Sequence, residues 1–232
     1  MKISIYKFDP AVDAAPYYAT ADIPWKDKMT VLEAIVYFHE NVQEISYDYS
    51  CHGRMCGRCS VMVDGKPVLA CCTPITDADH VIEPLKGQTV IRDLTVDKSE
   101  YHDRLAKQYQ RIRTEPVTAE QVHEFDKEAA DHLWNLVNCT RCGCCDAACP
   151  VFAAMPDKFA GPSMMLALAF RHLDSYDQGD RVLEAVSKGL YHCIMCGQCD
   201  AVCKRYEIKH VEMWQMLRDE AEKRGLKPSY AK

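Results

Sequence analysis

Fourteen cysteines in 232 residues constrain this chain more than any other feature, and they fall in three bunches: Cys51 to Cys72, Cys139 to Cys149 and Cys193 to Cys203. Even scatter would suggest the disulfide scaffold of a secreted protein, whereas bunching with short spacers points to thiolate metal sites. At 48% hydrophobic residues the chain can also bury one large or two modest cores. A formal net charge of −6 with well-mixed signs offers no basic footprint, so no nucleic-acid partner is expected. The opening MKISIYKFDP has neither an apolar h-region nor paired arginines, so no export signal is read there. The longest apolar run, MMLALAF at 164–170, is far short of the roughly 20 residues that cross a bilayer. A soluble chain that meets a membrane only through partners is expected.

The pattern predicts an α+β protein in two parts. Residues 1–100 read as strands with one helix: Ile3 to Phe8, then YYATADI, then a helix from Val31 with Val31, Ala34, Ile35 and Phe38 on one face. Thr30 and Glu33 stand at capping-box spacing, and Asp64-Gly65 joins two short apolar runs as a hairpin turn would. VIEPL predicts a closing strand, with Pro84 placing it at a sheet edge. Residues 101–232 read as helices: one N-capped by Ser99, a second over AEQVHEFDKEAADHLWNLV, a buried one over SMMLALAFRHL, and a last one with a stripe of Val211, Trp214, Leu217 and Ala221. Core packing is the expected role of that stripe.

The spacings then name a chemistry. Cys51-x4-Cys56-x2-Cys59 with Cys71 following is the plant-type arrangement for a [2Fe–2S] cluster, in which a tight loop supplies three thiolates and a more distant segment the fourth. Zinc sites favour C-x2-C pairs instead, and Cys51-His52 has no matching second pair for a Rieske centre. Cys139-x2-Cys142-x2-Cys145-x3-Cys149-Pro150 is the bacterial run whose last cysteine serves a neighbouring cluster, and Cys193-x2-Cys196-x2-Cys199-x3-Cys203 is its partner. Crossed ligation gives Cys139, Cys142, Cys145 and Cys203 to one [4Fe–4S] and Cys149, Cys193, Cys196 and Cys199 to the other. Were Cys196 a spare thiol, the last cluster would be [3Fe–4S]. Cys72, on the opposite face of a regular strand, and Cys144, facing away from both clusters, are left as thiols without a ligand role. Arg54, Arg58, Arg141, Lys204 and Arg205 flank ligands, where they either offset cluster charge or form a solvated surface. Clusters of these kinds relay single electrons, and no nucleophile, phosphate loop or carboxylate pair suggests bond chemistry in the chain itself.

With one plant-type centre before a crossed pair, the chain resembles the iron–sulfur subunit of the succinate dehydrogenase and fumarate reductase family over residues 1 to about 220, including VIEPLKGQTVIRDLTVD. The resemblance implies a β-grasp ferredoxin domain at 1–100 and an all-α bacterial-ferredoxin-like domain at 101–232. It implies electron relay between the FAD of a flavoprotein partner and a membrane-associated, quinone-reactive partner, through the centre at Cys51, then that at Cys139, then the last. FAD and quinone would belong to the partners alone. Two departures stand out. Most family members carry an apolar or small residue where Cys196 stands, and the family's aromatic residues beyond Cys149-Pro150 are replaced here by Phe152, Ala153 and Ala154. The second puts the family's quinone site beside a transmembrane cytochrome in question, and the extra cysteine resembles the branch whose membrane component is a cysteine-rich CCG-domain protein, as in methylmenaquinol:fumarate reductases, rather than a cytochrome b. A heterodisulfide-reductase or thiol:fumarate-reductase type subunit is the alternative. The expected location is peripheral at the membrane, cytoplasmic side favoured, with export alongside a signal-bearing partner left open.

Overall fold

The computed structural model describes residues 1–116, 118–120, 126–203 and 207–231. The chain divides into two compact units: Met1–Ser99 with Thr140–Ala148, and Glu100–Cys139 with Cys149–Lys232. No helix among the described residues is long and apolar enough to cross a membrane.

The first unit is a mixed, β-grasp-like sheet of five strands, β1 (Lys2–Lys7), β2 (Tyr17–Asp22), β3 (Ser60–Val63), β4 (Lys66–Leu69) and β5 (His80–Pro84), in the order β2-β1-β5-β3-β4. Only β1 and β5 pair in parallel. Alternation along β1 puts Ile3 and Ile5 into the core, where they meet Ile82, Val61 and the helix α1 (Val31–Asn41). Thr30 and Glu33 form the expected capping box, and Val31, Leu32, Ala34, Ile35 and Phe38 are buried. Each fully buried large side chain contributes about 1.5–3 kcal/mol. Asp64 and Gly65 both take positive φ, which matches the twist of the β3–β4 hairpin. The edge expectation for Pro84 is corrected: β5 lies in the middle of the sheet, and Pro84 is its final residue, opposite Val61, where a missing N–H interrupts the ladder least. A two-stranded ribbon, β6 (Thr89–Arg92) with β7 (Thr95–Asp97), follows. At its turn, buried Asp93 pairs with Lys7 at 2.8 Å and accepts the Phe8 and Ser46 amides, so neither charge is buried unpaired.

The second unit is helical. The helix α2 (Ser99–Gln108) leads into it from the last residue of the Met1–Ser99 segment, but the capping acceptor is Asp97, whose carboxylate takes the Ser99 amide at 2.8 Å; Ser99 itself is the first helical residue. Of the following expected helix, Lys127–Val137 is present, capped by Asp126 through the Glu128 and Ala129 amides, and 121–125 lie outside the described residues. Pro162–Leu173 is buried from Pro162 through Ala169, as an all-apolar helix packed on several sides must be. It shares a core with Arg181–Ser187 and His210–Lys223, centred on Met165, Leu166, Trp214 and Leu217. Gly189, at φ 90°, ends the turn after Arg181–Ser187; a Cβ there would lie 1.9 Å from the Lys158 carbonyl oxygen. Two short helices, Cys144–Ala147 in the first unit and Gln198–Val202 in the second, carry cysteines.

Candidate iron–sulfur centres

In the first unit the segment before β3 curls round one sulfur. Cys51 Sγ accepts the amides of Gly53, Met55 and Cys56 at 3.4, 3.2 and 3.3 Å. Such a curl requires left-handed backbone, and His52, Arg54 and Gly57 all have positive φ. Those three amides hold the Cys51 thiol down at about 6. Cys59, buried at the start of β3, accepts the Cys71 amide at 3.5 Å and is pushed up to about 12 by burial, with Cys71 and Cys56 close by. Cys51, Cys56, Cys59 and Cys71 therefore converge, with backbone N–H groups aimed at sulfur. Four thiol donors so arranged fit a thiolate-ligated cluster. Gly57 is needed for close approach: a Cβ would stand 2.6 Å from the Thr140 carbonyl oxygen. Cys71 follows β4 in a 3-10 turn, Ala70–Cys72, which corrects the expectation that Cys72 points away across a regular strand. Cys72 instead bonds back to the Leu69 carbonyl, and burial raises its pKa, with neighbouring Cys71 adding to the rise.

Cys142 and Cys145 belong to this unit, whereas Cys139 and Cys203 belong to the second. Arg141 and Gly143 have positive φ on either side of Cys142, and the chain then turns into Cys144–Ala147. This turn brings Cys144 back against Cys142, so Cys144 is buried but does not face away. Its thiol hydrogen bond, together with its amide, Thr140 and Lys98, holds Cys142 at about 6 against the opposing effect of burial. Lys98 is a contributor that no sequence motif announces. Its buried ammonium donates to Ser60 Oγ at 2.5 Å and to the Gly57 and Arg58 carbonyls, and Ser60 Oγ donates to the Cys142 carbonyl at 3.0 Å. Arg54, Arg58 and Arg141 are exposed, which suits the solvated reading; Lys204 and Arg205 lie outside the described residues.

The second unit repeats the backbone of that run. Met195 and Gly197 flank Cys196 with positive φ, and the helix Gln198–Val202 follows as Cys144–Ala147 does after Gly143. Cys149, Cys193, Cys196 and Cys199 line one cavity with Val151, Phe159 and Trp214. Cys149 Sγ accepts the Phe152 amide and Cys193 Sγ the Met195 amide, both at 3.4 Å. Here burial governs: it raises Cys193 and pushes Cys199 up to about 12, helped by Asp200, Cys193 and Cys149. The donor set of four thiols around one cavity fits a cubane cluster. Behind the run stand three side chains of His210–Lys223 that its apolar stripe did not announce as functional: His210, bonded to Asp200 at 3.1 Å, Trp214, and Arg218, which donates to the Leu190 and Cys193 carbonyls.

A mixed sheet unit and a helical unit, each with cysteines gathered in ferredoxin-type spacings, define an iron–sulfur electron carrier. The matching family models agree: a 2Fe-2S iron-sulfur cluster binding domain over residues 2–103 and a 4Fe-4S dicluster domain over residues 135–206. The chain is 33% identical over 214 residues to the fumarate reductase iron-sulfur subunit of Escherichia coli O6:H1, covering 89% of this chain and 87% of that one. It is 31% identical to the fumarate reductase iron-sulfur subunit of Mycobacterium tuberculosis, covering 88% and 85%. It is also 32% identical over 206 residues to a subunit of the fumarate reductase (CoM/CoB) of Methanothermobacter marburgensis, covering 88% of this chain and only 41% of that longer one. A chain of the Mycobacterium smegmatis Sdh1 complex in the apo form has the same fold, with a TM-score of 0.82 at 22% identity over 98% of both chains. The chain belongs to the iron–sulfur subunit family of fumarate reductases, electron-transfer components of oxidoreductase complexes.

Proposed function

We propose that this chain relays single electrons between a flavoprotein that interconverts succinate and fumarate and a membrane-associated, quinone-reactive subunit, and that it performs no bond chemistry itself. Cys51, Cys56, Cys59 and Cys71 hold a [2Fe–2S] cluster. Cys139, Cys142, Cys145 and Cys203 hold a [4Fe–4S], and Cys149, Cys193, Cys196 and Cys199 hold a second. Iron–sulfur clusters supply one-electron redox chemistry at potentials set by cluster type, charge, hydrogen bonds and burial. The protein's part is to present thiolates, aim amides at their sulfurs, and bury the site. The observation that carries the reading is the four-cysteine cavity, in which Cys196 sits between left-handed Met195 and Gly197 as Cys142 sits between Arg141 and Gly143.

The partner favoured at the membrane is a CCG-domain subunit, supported by the fourth cysteine at the last site and by Phe152-Ala153-Ala154 after Cys149-Pro150. A thiol-linked fumarate reductase is the second reading. It is supported by the 32% identity to the Methanothermobacter protein, whose name carries CoM and CoB. The subunits that co-purify distinguish the two.

The test is low-temperature EPR on the anaerobically purified complex. The oxidised wild type is expected to be silent, because an oxidised [4Fe–4S] is diamagnetic, and Cys196→Ser is expected to acquire the signal of an oxidised [3Fe–4S]. That signal in the oxidised wild type, unchanged by Cys196→Ser, would remove Cys196 from the ligand set.

A further inference from the structure

The helix His210–Lys223 presents His210, Trp214 and Arg218 at intervals of four, which places them on one face. His210 is satisfied, and Arg218 is held through its Nη2, although its buried Nε has no hydrogen-bond partner among the described residues. The His210 backbone amide and ring Nδ1 both meet Asp200 Oδ1, next to Cys199, while Arg218 Nη2 holds the carbonyls of Leu190 and Cys193. Together they brace both ends of the Cys193–Asp200 segment.

Trp214, between them, differs. It is 0% exposed, its ring meets that of His210 edge to face at 5.8 Å, and it lines the cavity of Cys149, Cys193, Cys196 and Cys199. Its Nε1 is buried and has no hydrogen-bond partner among the described residues. An indole N–H can only donate, and a buried one normally finds an acceptor. Apart from the cysteines the wall is largely apolar, including Val151, Phe159, Pro162 and Val211, and its one polar side chain, Gln198, is exposed, so sulfur is the buried acceptor chemistry the cavity offers.

We propose that Trp214 Nε1–H donates a hydrogen bond to a sulfur of the iron–sulfur cluster held by Cys149, Cys193, Cys196 and Cys199, and thereby raises that centre's reduction potential. The inference rests on the cluster assignment proposed above. The direction follows from charge: reduction adds negative charge to the cluster, and a donor to its sulfur favours the more negative state. Trp214 is thus a tuning and positioning residue, distinct from the ligands.

Trp214→Phe keeps most of the ring and removes the N–H. In a redox titration of the purified complex followed by EPR, this variant is expected to retain its iron and acid-labile sulfide. The potential of the last centre alone should shift negative, with the other two centres unmoved. A second measurement needs no variant. With [indole-15N]tryptophan and exchange into deuterated water, ENDOR of the reduced last centre should show an exchangeable proton and a weak 15N coupling. The label reads cleanly, because the Trp25 N–H is taken by the Ile75 carbonyl and Trp134 is 74% exposed. An unshifted potential in fully loaded Trp214→Phe, or no exchangeable proton and 15N coupling in the wild type, overturns the inference and leaves the cluster assignment standing. A Cys199→Ser variant that alters no centre overturns the assignment, and the inference with it.

Discussion

At Cys51 the chain turns three of its own amides onto the sulfur, all from within five residues and in an exposed loop, and the thiol titrates at about 6. At Cys199 the surroundings are supplied from afar: the sulfur lies in a cavity walled by Cys149, Phe159 and Trp214, and burial pushes its thiol up to about 12. The two regions prepare thiolate sites by opposite means. The loop stabilises the charged ligand before metal arrives, whereas the cavity favours the neutral thiol, so metal must displace its protons. Cys142 shows that the difference comes from surroundings: with the same local backbone as Cys196, it is drawn down to about 6 by Cys144, Thr140 and Lys98.

The largest expected effect separates backbone that must be glycine for space from backbone that needs it only for φ. Ahead of the buried run, Gly189→Ala would drive a Cβ to 1.9 Å from the Lys158 carbonyl oxygen, with no flexible side chain to yield. A loss above about 4 kcal/mol is expected, in the range reserved for severe lesions. Gly197, inside the run, has φ 73° but a Cβ added there would meet nothing within 4 Å among the described residues, so Gly197→Ala should cost only about 1–2 kcal/mol of left-handed strain. Denaturant midpoints of the two variants check this; equal losses would mean that packing around Gly189 relaxes.

Next in size is the reactivity of the metal-free thiols. Thiols at about 6 and about 12 differ in thiolate fraction at pH 7 by roughly 10⁵, which the lower nucleophilicity of the more acidic thiol reduces to a net factor of roughly 10². Iodoacetamide labelling read by mass spectrometry should therefore rise at Cys51 with a midpoint near pH 6 and leave Cys199 unmodified to strongly alkaline pH. The linkage signs are opposite as well. Stability from the Cys51 thiolate is present above the ordinary thiol range and is lost as pH falls through about 6. Stability from the neutral Cys199 thiol is present below that range and is lost as pH rises toward about 12. Matching labelling profiles at the two sites would end the comparison.

Why one region reads from the sequence and the other does not follows from the same contrast. Capping by Thr30 and Glu33, the Asp64-Gly65 turn and the cysteine spacings are local, so residue types at fixed offsets announce them. Pro84 misled because a proline signals a broken ladder without saying whether the break lies at a sheet edge or a strand end. Lys98 meets Ser60 across 38 residues and Asp93 meets Lys7 across 86, and no offset encodes either contact. Trp214 reads from the sequence as one position of an apolar stripe and Arg218 as nothing in particular, because the run they face becomes evident only when the cavity is assembled.

The smallest effect sharpens the contrast between cations. Arg218 reaches from the helix over the Tyr191 ring, at 5.2 Å, to the carbonyls of Leu190 and Cys193, fixing the backbone from which Cys193 projects. Arg218→Met keeps the apolar stem and removes the fork, leaving both carbonyls without that donor. Hydrogen bonds to a charged group are worth about 1.5–3 kcal/mol, so a stability loss of about 2 kcal/mol is expected. Arg54 lies among the loop cysteines but is exposed, and its nearest effect is a modest lowering of Cys72. Arg54→Met should stay within about 0.5 kcal/mol, as surface substitutions do. Thermal unfolding of the two variants at matched ionic strength decides it, because proximity to a ligand in sequence then predicts little and contact with the ligand's own backbone predicts much. If Arg54→Met proved the costlier change, the loop would depend on its cations as well as its amides, and the division drawn between the two regions would fail at the loop.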